Sequence, residues 1–271
     1  MQRALNTLTN RGALRVVSRG HLGRLVVDLE AGQAWQAAGF SPVRLLFPRA
    51  DPTEIRTLEQ RVGEELLRRG VPFSSQHLPG AAARMASVDD GDHDVAIISS
   101  GAYRSSASAG TEADRSRELE PGTYYAADRI VVVQRNSDFE GAPHRIAIDL
   151  MSQDHMALTR DRFPESEGYV HINTRFHHVP AAVARNIVDA GIWHVTPSVI
   201  PLDIAGLVAT PLEMLRTRSI WEGFSRTVIY MRAMRPEVAA IISAIDFSDL
   251  LTHQEAAFAL EAEDWFSLVN D

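Results

Sequence analysis

Two short apolar runs in this chain stop abruptly at side chains able to grip a polar ligand. The first is 94–103, Asp-Val-Ala-Ile-Ile-Ser-Ser-Gly-Ala-Tyr. Its four successive apolar residues suit a strand buried on both faces of a parallel sheet. Ser99, Ser100 and Gly101 then leave the sheet at its carboxyl edge. Open α/β sheets hold ligands there, because the next helix begins with unpaired N–H groups pointing into the crevice. A weaker echo follows in 188–196, Val-Asp-Ala-Gly-Ile-Trp-His-Val-Thr. It reads as a helix end, a Gly turn and a short strand, and it closes on the Thr196 hydroxyl as 88–99 closes on Ser99. Two such units predict two α/β lobes facing one another across a cleft.

The residues expected to line that cleft are Arg49, Ser99, Ser100, Tyr124, Asp149, Ser152, Trp193 and Thr196. Arg49 follows a first buried strand, where a guanidinium can clamp a carboxylate or phosphate with two hydrogen bonds. Tyr124 stands with Tyr125 where the chain crosses between lobes. Asp149 ends a strand and would hold an amine, and Ser152 with Gln153 opens the next helix. Arginine, hydroxyls and helix N-termini favour an anionic effector. Asp149 in the same cleft extends that to an amino-acid-like one.

The elements that must position these groups alternate in a doubly wound order. Strands are predicted at 43–47, 71–75 and 94–99, with an amphipathic helix over 53–69 and another ending at Asp89-Asp-Gly91. The stretch 103–118 is Ser-, Ala- and Arg-rich and reads as a surface helix or mobile loop. A strand at 129–133 follows the crossing, and strands at 145–149, 169–173 and 192–195 build the second lobe around a helix at 179–188. Strands at 205–212 and 226–231 are expected to carry the chain back to the first lobe, and helices at 236–245 and 250–266 close it.

Composition removes several chemistries. The 271 residues suffice for two lobes with a small appendage. There is no cysteine, which excludes disulfides, thiolate nucleophiles, iron–sulfur ligation and Cys-based zinc sites. All 27 basic residues are arginine. Without lysine there is neither a Schiff base to pyridoxal phosphate or a carbonyl substrate nor a Walker A motif. His177-His178, with Arg175 nearby and His171 across a turn, lacks a ligand partner at metal spacing, and no Gly-x-Ser-x-Gly elbow marks a serine nucleophile. No metal and no cofactor is therefore expected. No run approaches the roughly 18 apolar residues of a membrane span, and the polar N-terminus is not a signal peptide, so a cytoplasmic address is expected.

Net charge is −8 but uneven, with five arginines and no carboxylate in 1–27. A basic arm on an acidic body suits a nucleic-acid-binding appendage on a sensor. Residues 2–9 have helical spacing, and 13–18 and 24–29 read as strands joined by Arg19-Gly-His-Leu-Gly23. Helix, turn and hairpin in this order resemble the last part of a GntR-type winged helix-turn-helix. That resemblance implies a recognition helix carrying Arg3 and a wing whose Arg15, Arg19 and Arg24 contact phosphate and minor groove. A complete winged helix has about two further helices before these, so the module is expected to be N-terminally truncated, binding DNA only when complete.

The whole chain resembles the YhfZ-type family, in which such a winged helix precedes a ligand domain of the type II periplasmic-binding-protein fold. The resemblance rests on 8–27, 94–99, Leu119-Glu-Pro-Gly-Thr-Tyr124, Gln134-Arg135, Ile148-Asp149, 187–193 and Leu207-Val-Ala-Thr-Pro-Leu212. The fold it implies is α/β and two-lobed, with a partial winged-helix hairpin over 1–30, a first lobe from 31–122 and 205–271, and a second lobe over 123–204. The function it implies is a dimeric, ligand-responsive transcriptional regulator, not an enzyme. The alternatives are a stand-alone binding module without DNA work, and a lyase-like enzyme on the same fold.

Overall fold

The computed structural model describes residues 2–106, 116–126, 129–136, 144–196, 201–212 and 223–270. At its front, helix α1 (Gln2–Asn10) precedes an antiparallel pair, β1 (Leu14–Ser18) and β2 (Arg24–Leu29), with Leu14 opposite Leu29 and Ser18 opposite Arg24. Every residue of β2 is exposed, so this hairpin adds little to the core. A single residue, Glu30, joins it to α2 (Ala31–Ala38).

Ten further strands follow among the described residues: β3 (Val43–Phe47), β4 (Phe73–His77), β5 (Val95–Ser99), β6 (Ser116–Glu118), β7 (Ile130–Arg135), β8 (Arg145–Ile148), β9 (Val170–Asn173), β10 (Ala190–His194), β11 (Leu207–Pro211) and β12 (Thr227–Met231). They form two sheets, ordered β4-β3-β5-β12-β6 and β9-β8-β10-β7-β11. The two orders are one pattern. In each, the second strand flanks the first, the third lies on the first strand's other side, and an antiparallel strand wedges between third and fourth, β12 from after the fourth strand in one sheet and β7 from before the first in the other.

That wedge decides where the chain returns to its first lobe. The strand at 205–212 was expected to belong to the first lobe, but β11 pairs with β7 from Leu207 opposite Arg135 to Pro211 opposite Val131. The second sheet therefore continues through 211, and the return falls after it. A short edge strand has the same alternation in either sheet, so its pattern could not choose between them.

The further helices among the described residues are α3 (Thr53–Arg68), α4 (Ala81–Asp89), α5 (Ser100–Ser105), α6 (Gln153–Arg162), α7 (Val179–Ala184), α8 (Pro236–Ser243) and α9 (Leu250–Asn270). The expected surface stretch at 103–118 resolves into the end of α5 and the strand β6, and its centre, 107–115, lies outside the described residues. Phe47, Leu45, Ile55, Leu58, Leu66 and Ile97 are buried between the first sheet and its helices. Val131, Val133, Val179, Val183 and Trp193 do the same in the second lobe. Each such side chain contributes roughly 1.5–3 kcal/mol by leaving water. Gly191 lets α7 lie flat on the second sheet, since a Cβ there would come within 2.8 Å of Ala147 and 2.7 Å of Val179.

The two lobes repeat one polar brace. Asp94, just before β5, accepts from the backbone N of Arg44 at 2.9 Å and from its guanidinium at 3.0 and 3.2 Å. Asp189, just before β10, accepts from the backbone N of Arg145 at 2.8 Å and from its guanidinium at 2.7 Å. Each aspartate ties the start of the third strand to the first strand. Burial pushes both carboxyls up, but the arginine donors prevail and hold them below the ordinary value.

Candidate functional site

The helix after the first strand of each lobe begins at the cleft, and the second residue of each is an acid: Glu54 in α3 and Asp154 in α6. The third strand of each lobe also ends there, at Ser99 in β5 and His194 in β10. These four residues meet crosswise. Glu54 Oε1 accepts from His194 Nε2 at 2.9 Å, reaching from the first lobe to the second. Asp154 reaches back the other way, facing the Ser99 hydroxyl. A Cβ on Gly101 would lie 2.9 Å from the Phe224 ring and 3.3 Å from Asp154 Oδ1, so the glycine leaves room for both side chains.

The Glu54–His194 contact is dry, with both side chains fully buried. Glu54 Oε1 also accepts from the backbone N of Ala126 at 2.8 Å, and Gln254 Nε2 donates to the Glu54 carbonyl at 3.2 Å and to Thr123 O at 3.1 Å. Burial pushes Glu54 up, yet the His194 and Ala126 donors outweigh it and its pKa is lowered. Asp154 has weaker help. Burial raises it to about 6, against the opposing pull of Ser99 and Arg84.

Between the two acids lie Tyr124 and Tyr125, edge to face at 4.6 Å, with Tyr125 5.3 Å from the His194 ring. Arg84 is buried beneath them. Its guanidinium donates to Ile97 O at 2.9 Å, Leu78 O at 2.7 Å and the Tyr124 hydroxyl at 3.2 Å, all neutral acceptors. Burial, then the neighbouring Tyr124, Asp154 and Glu54, raise the Tyr125 hydroxyl well above its ordinary value. Among the described residues Glu54 Oε2, Asp154 Oδ1, His194 Nδ1 and, opposite Ser99, Thr227 Oγ1 are buried without a hydrogen-bond partner.

The residues expected from sequence are placed unequally about this floor. Ser99 and Ser100 are fully buried at the start of α5. Ser99 caps that helix by accepting from Ala102 N at 3.1 Å, and the Ser100 hydroxyl bonds Gly223 O. Tyr124 is buried against Arg84. Ser152 caps α6 by accepting from His155 N at 3.2 Å. Asp149 is committed to its own lobe, taking Met151 N and Phe176 N at 2.9 Å each, with Arg175 3.8 Å away. Its backbone N–H donates to His155 Nδ1, whose Nε2–H donates in turn to Ile192 O at 2.9 Å, and burial lowers that histidine to about 4. Arg49 is exposed at the rim and pairs with Asp51 at 2.7 Å. Trp193 joins the second-lobe core, and Thr196 is half-buried beyond the strand end.

Glu54, His194, Asp154 and Arg84 were not among the expected residues. Aligning 88–99 with 188–196 on their terminal hydroxyls set Thr196 against Ser99. The structure sets Asp189 against Asp94 instead, which makes His194 the counterpart of Ser99. Among the described residues no group of three His, Asp or Glu side chains could hold a metal, and no helix is long and apolar enough to cross a membrane.

At the front, Arg3, Arg15, Arg19 and Arg24 are all exposed. Arg24 bonds Asn6 Oδ1 at 3.0 Å and Arg15 lies 3.9 Å from Asp28, while among the described residues the side chains of Arg3 and Arg19 make no bond.

Two sheets with the same wedged order, meeting at the carboxyl ends of their strands, define a two-lobed protein of the type II periplasmic-binding-protein fold. Solved structures agree. The periplasmic aliphatic sulphonate binding protein SsuA of Escherichia coli superposes with a TM-score of 0.53 at 15% identity, over 82% of this chain and 79% of that one. YhfZ of Shigella flexneri gives a TM-score of 0.62 at 23% identity, over 86% of this chain and 96% of that one. In sequence, residues 31–264 match the YhfZ C-terminal domain, and the chain belongs to that family. The YhfZ protein of Escherichia coli K12 is 26% identical over 265 residues, covering 97% of this chain and 84% of the relative.

Proposed function

We propose that this protein is a ligand-responsive transcriptional regulator that holds a small polar metabolite between its lobes and releases it unchanged. The observation carrying the reading is the crosswise contact of Glu54 with His194 and of Asp154 with Ser99, which leaves buried polar atoms unsatisfied at the junction. Buried polar atoms cost free energy until a partner arrives, so a ligand that supplies one favours the closed arrangement over an open one. The hairpin with Arg3, Arg15, Arg19 and Arg24 is the part that meets DNA, and closure re-sets the spacing of two such arms in a cytoplasmic homodimer.

A mobility-shift assay with the chain's own upstream DNA tests the reading, run with and without small molecules recovered from the purified protein. Binding that weakens steeply with salt and changes with the recovered molecule supports it. A recovered molecule without any DNA binding, also in a form extended by the helices that precede a wing, leaves a stand-alone binding module. The exposed apolar residues of the hairpin, Val17, Leu22, Leu25 and Val26, give that second reading its weight, because no other element among the described residues covers them. Turnover of the molecule would make the protein an enzyme.

A further inference from the structure

Two carboxylate oxygens dominate the unpartnered atoms at the lobe junction, beside the hydroxyl of Thr227, which sits opposite Ser99 in the first sheet. Glu54 Oε2 and Asp154 Oδ1 are carboxylate oxygens, which when ionised can only accept. Donors available to an anion are scarcer. Arg84 is already bound to two carbonyls and a tyrosine hydroxyl, and Arg49 is paired with Asp51 at the surface. Ser99 at α5 and Ser152 at α6 each occupy one N–H of their helix, while α3 carries no side-chain cap. Asp149 adds a third carboxylate, already supplied with two backbone donors.

Resting on the interlobe-binding reading, we infer that the site takes an organic cation, an amine or guanidinium group held between Glu54 of one lobe and Asp154 of the other. Only a donor-rich positive group satisfies two buried carboxylates without adding another negative charge to a dry junction. The tyrosine pair suits the same ligand, because aromatic faces attract cations. Because the two acids sit at equivalent helix positions in opposite lobes, one cationic group, or two joined by a short chain, ties both lobes at once. The raised pKa of Asp154 is what an anion waiting for such a partner displays.

Thermal melting of the full chain is the test, with methylammonium, 1,4-diaminobutane and agmatine as cationic probes and acetate, phosphate and methanesulfonate as anionic ones. At least one cationic probe is expected to raise the melting temperature by about 5 °C at saturation, and Asp154→Asn to weaken that response at least tenfold. Glu54→Gln, which keeps the side chain's size, provides a second variant with the same expected loss. If anionic probes stabilise the protein and cationic ones do not, the cleft still binds but the cation assignment is overturned. Equal response of wild type and both variants to the amines overturns it as well. If neither set acts, the binding reading itself falls with it.

Discussion

Glu54 Oε1 and His194 Nε2 lie 2.9 Å apart, on different lobes and wholly out of water. A pair of this kind is worth little relative to two apolar side chains, but losing one member leaves the other buried and uncompensated. The contact thus reports whether the lobes are shut.

His194→Ala removes the donor and leaves the Glu54 carboxylate dry, a penalty of about 3 kcal/mol if the lobes stay together. Parting the lobes lets water reach Glu54 and avoids most of it. We therefore expect solution scattering to give a larger radius of gyration for His194→Ala than for wild type. His194→Gln, which keeps an N–H donor, stays compact. An unchanged radius for the alanine variant, with unchanged stability, would show that the contact does not hold the lobes.

Asp154 sets a pH dependence opposite to that of Asp94 and Asp189. Its folded pKa, about 6, lies above the unfolded value of 3.8, so its contribution to stability is full below about pH 4 and is lost as pH rises through 6. The difference amounts to roughly 3 kcal/mol. Asp154→Asn should accordingly raise the urea midpoint at pH 8 and leave it nearly unchanged at pH 4. A variant that is weaker than wild type at both pH values would mean that the ionised carboxylate is already satisfied.

Asp94 and Asp189 behave in the usual direction. Both are held low by arginine donors, so their contribution is present above about pH 4 and disappears as pH falls through their depressed values. Asp94→Asn and Asp189→Asn should each cost about 2–3 kcal/mol at pH 7 by removing charge-assisted bonds to a buried oxygen. The braces lie in separate lobes, so chemical denaturation of the double variant should give the sum to within about 0.5 kcal/mol. A clear departure would mean either that the two lobes unfold in separate steps or that the two braces are energetically coupled.

Much of this architecture could be read from residue order. The apolar run before Ser99 is the buried third strand, and the hydroxyls of Ser99 and Ser152 open helices because Ser is a good N-cap. What escaped was parity and partnership. Trp193 and His194 are neighbours in one strand, and a one-residue choice of register decides which faces the cleft. Glu54 reads in sequence as an ordinary first-turn acid favoured by the helix dipole. Its role depends on a histidine 140 residues away. The signal that could have found both is the repeated brace, an Asp before a five-residue strand, which aligns Asp94 with Asp189 and so Ser99 with His194. The sheet membership of β11 had no such marker.

The N-terminal hairpin should be separable from the body. All of β2 is exposed, and the hairpin joins α2 through Glu30 alone, whose N–H donates to Ala13 O at 3.0 Å. Few apolar contacts therefore pass between the two parts, and stability in such a chain resides where apolar surface is buried. Removing residues 1–29 should leave the melting temperature of the two-lobed body within about 2 °C of the full chain and preserve any ligand-induced rise. DNA retention, in a form that shows it, should vanish with the arm. The same loss from Arg15→Ala, Arg19→Ala and Arg24→Ala together, with melting unchanged, would place DNA contact on those guanidinium groups. A fall of many degrees on removing the arm would instead make the hairpin part of the core, and the division of labour between arm and lobes would have to be abandoned.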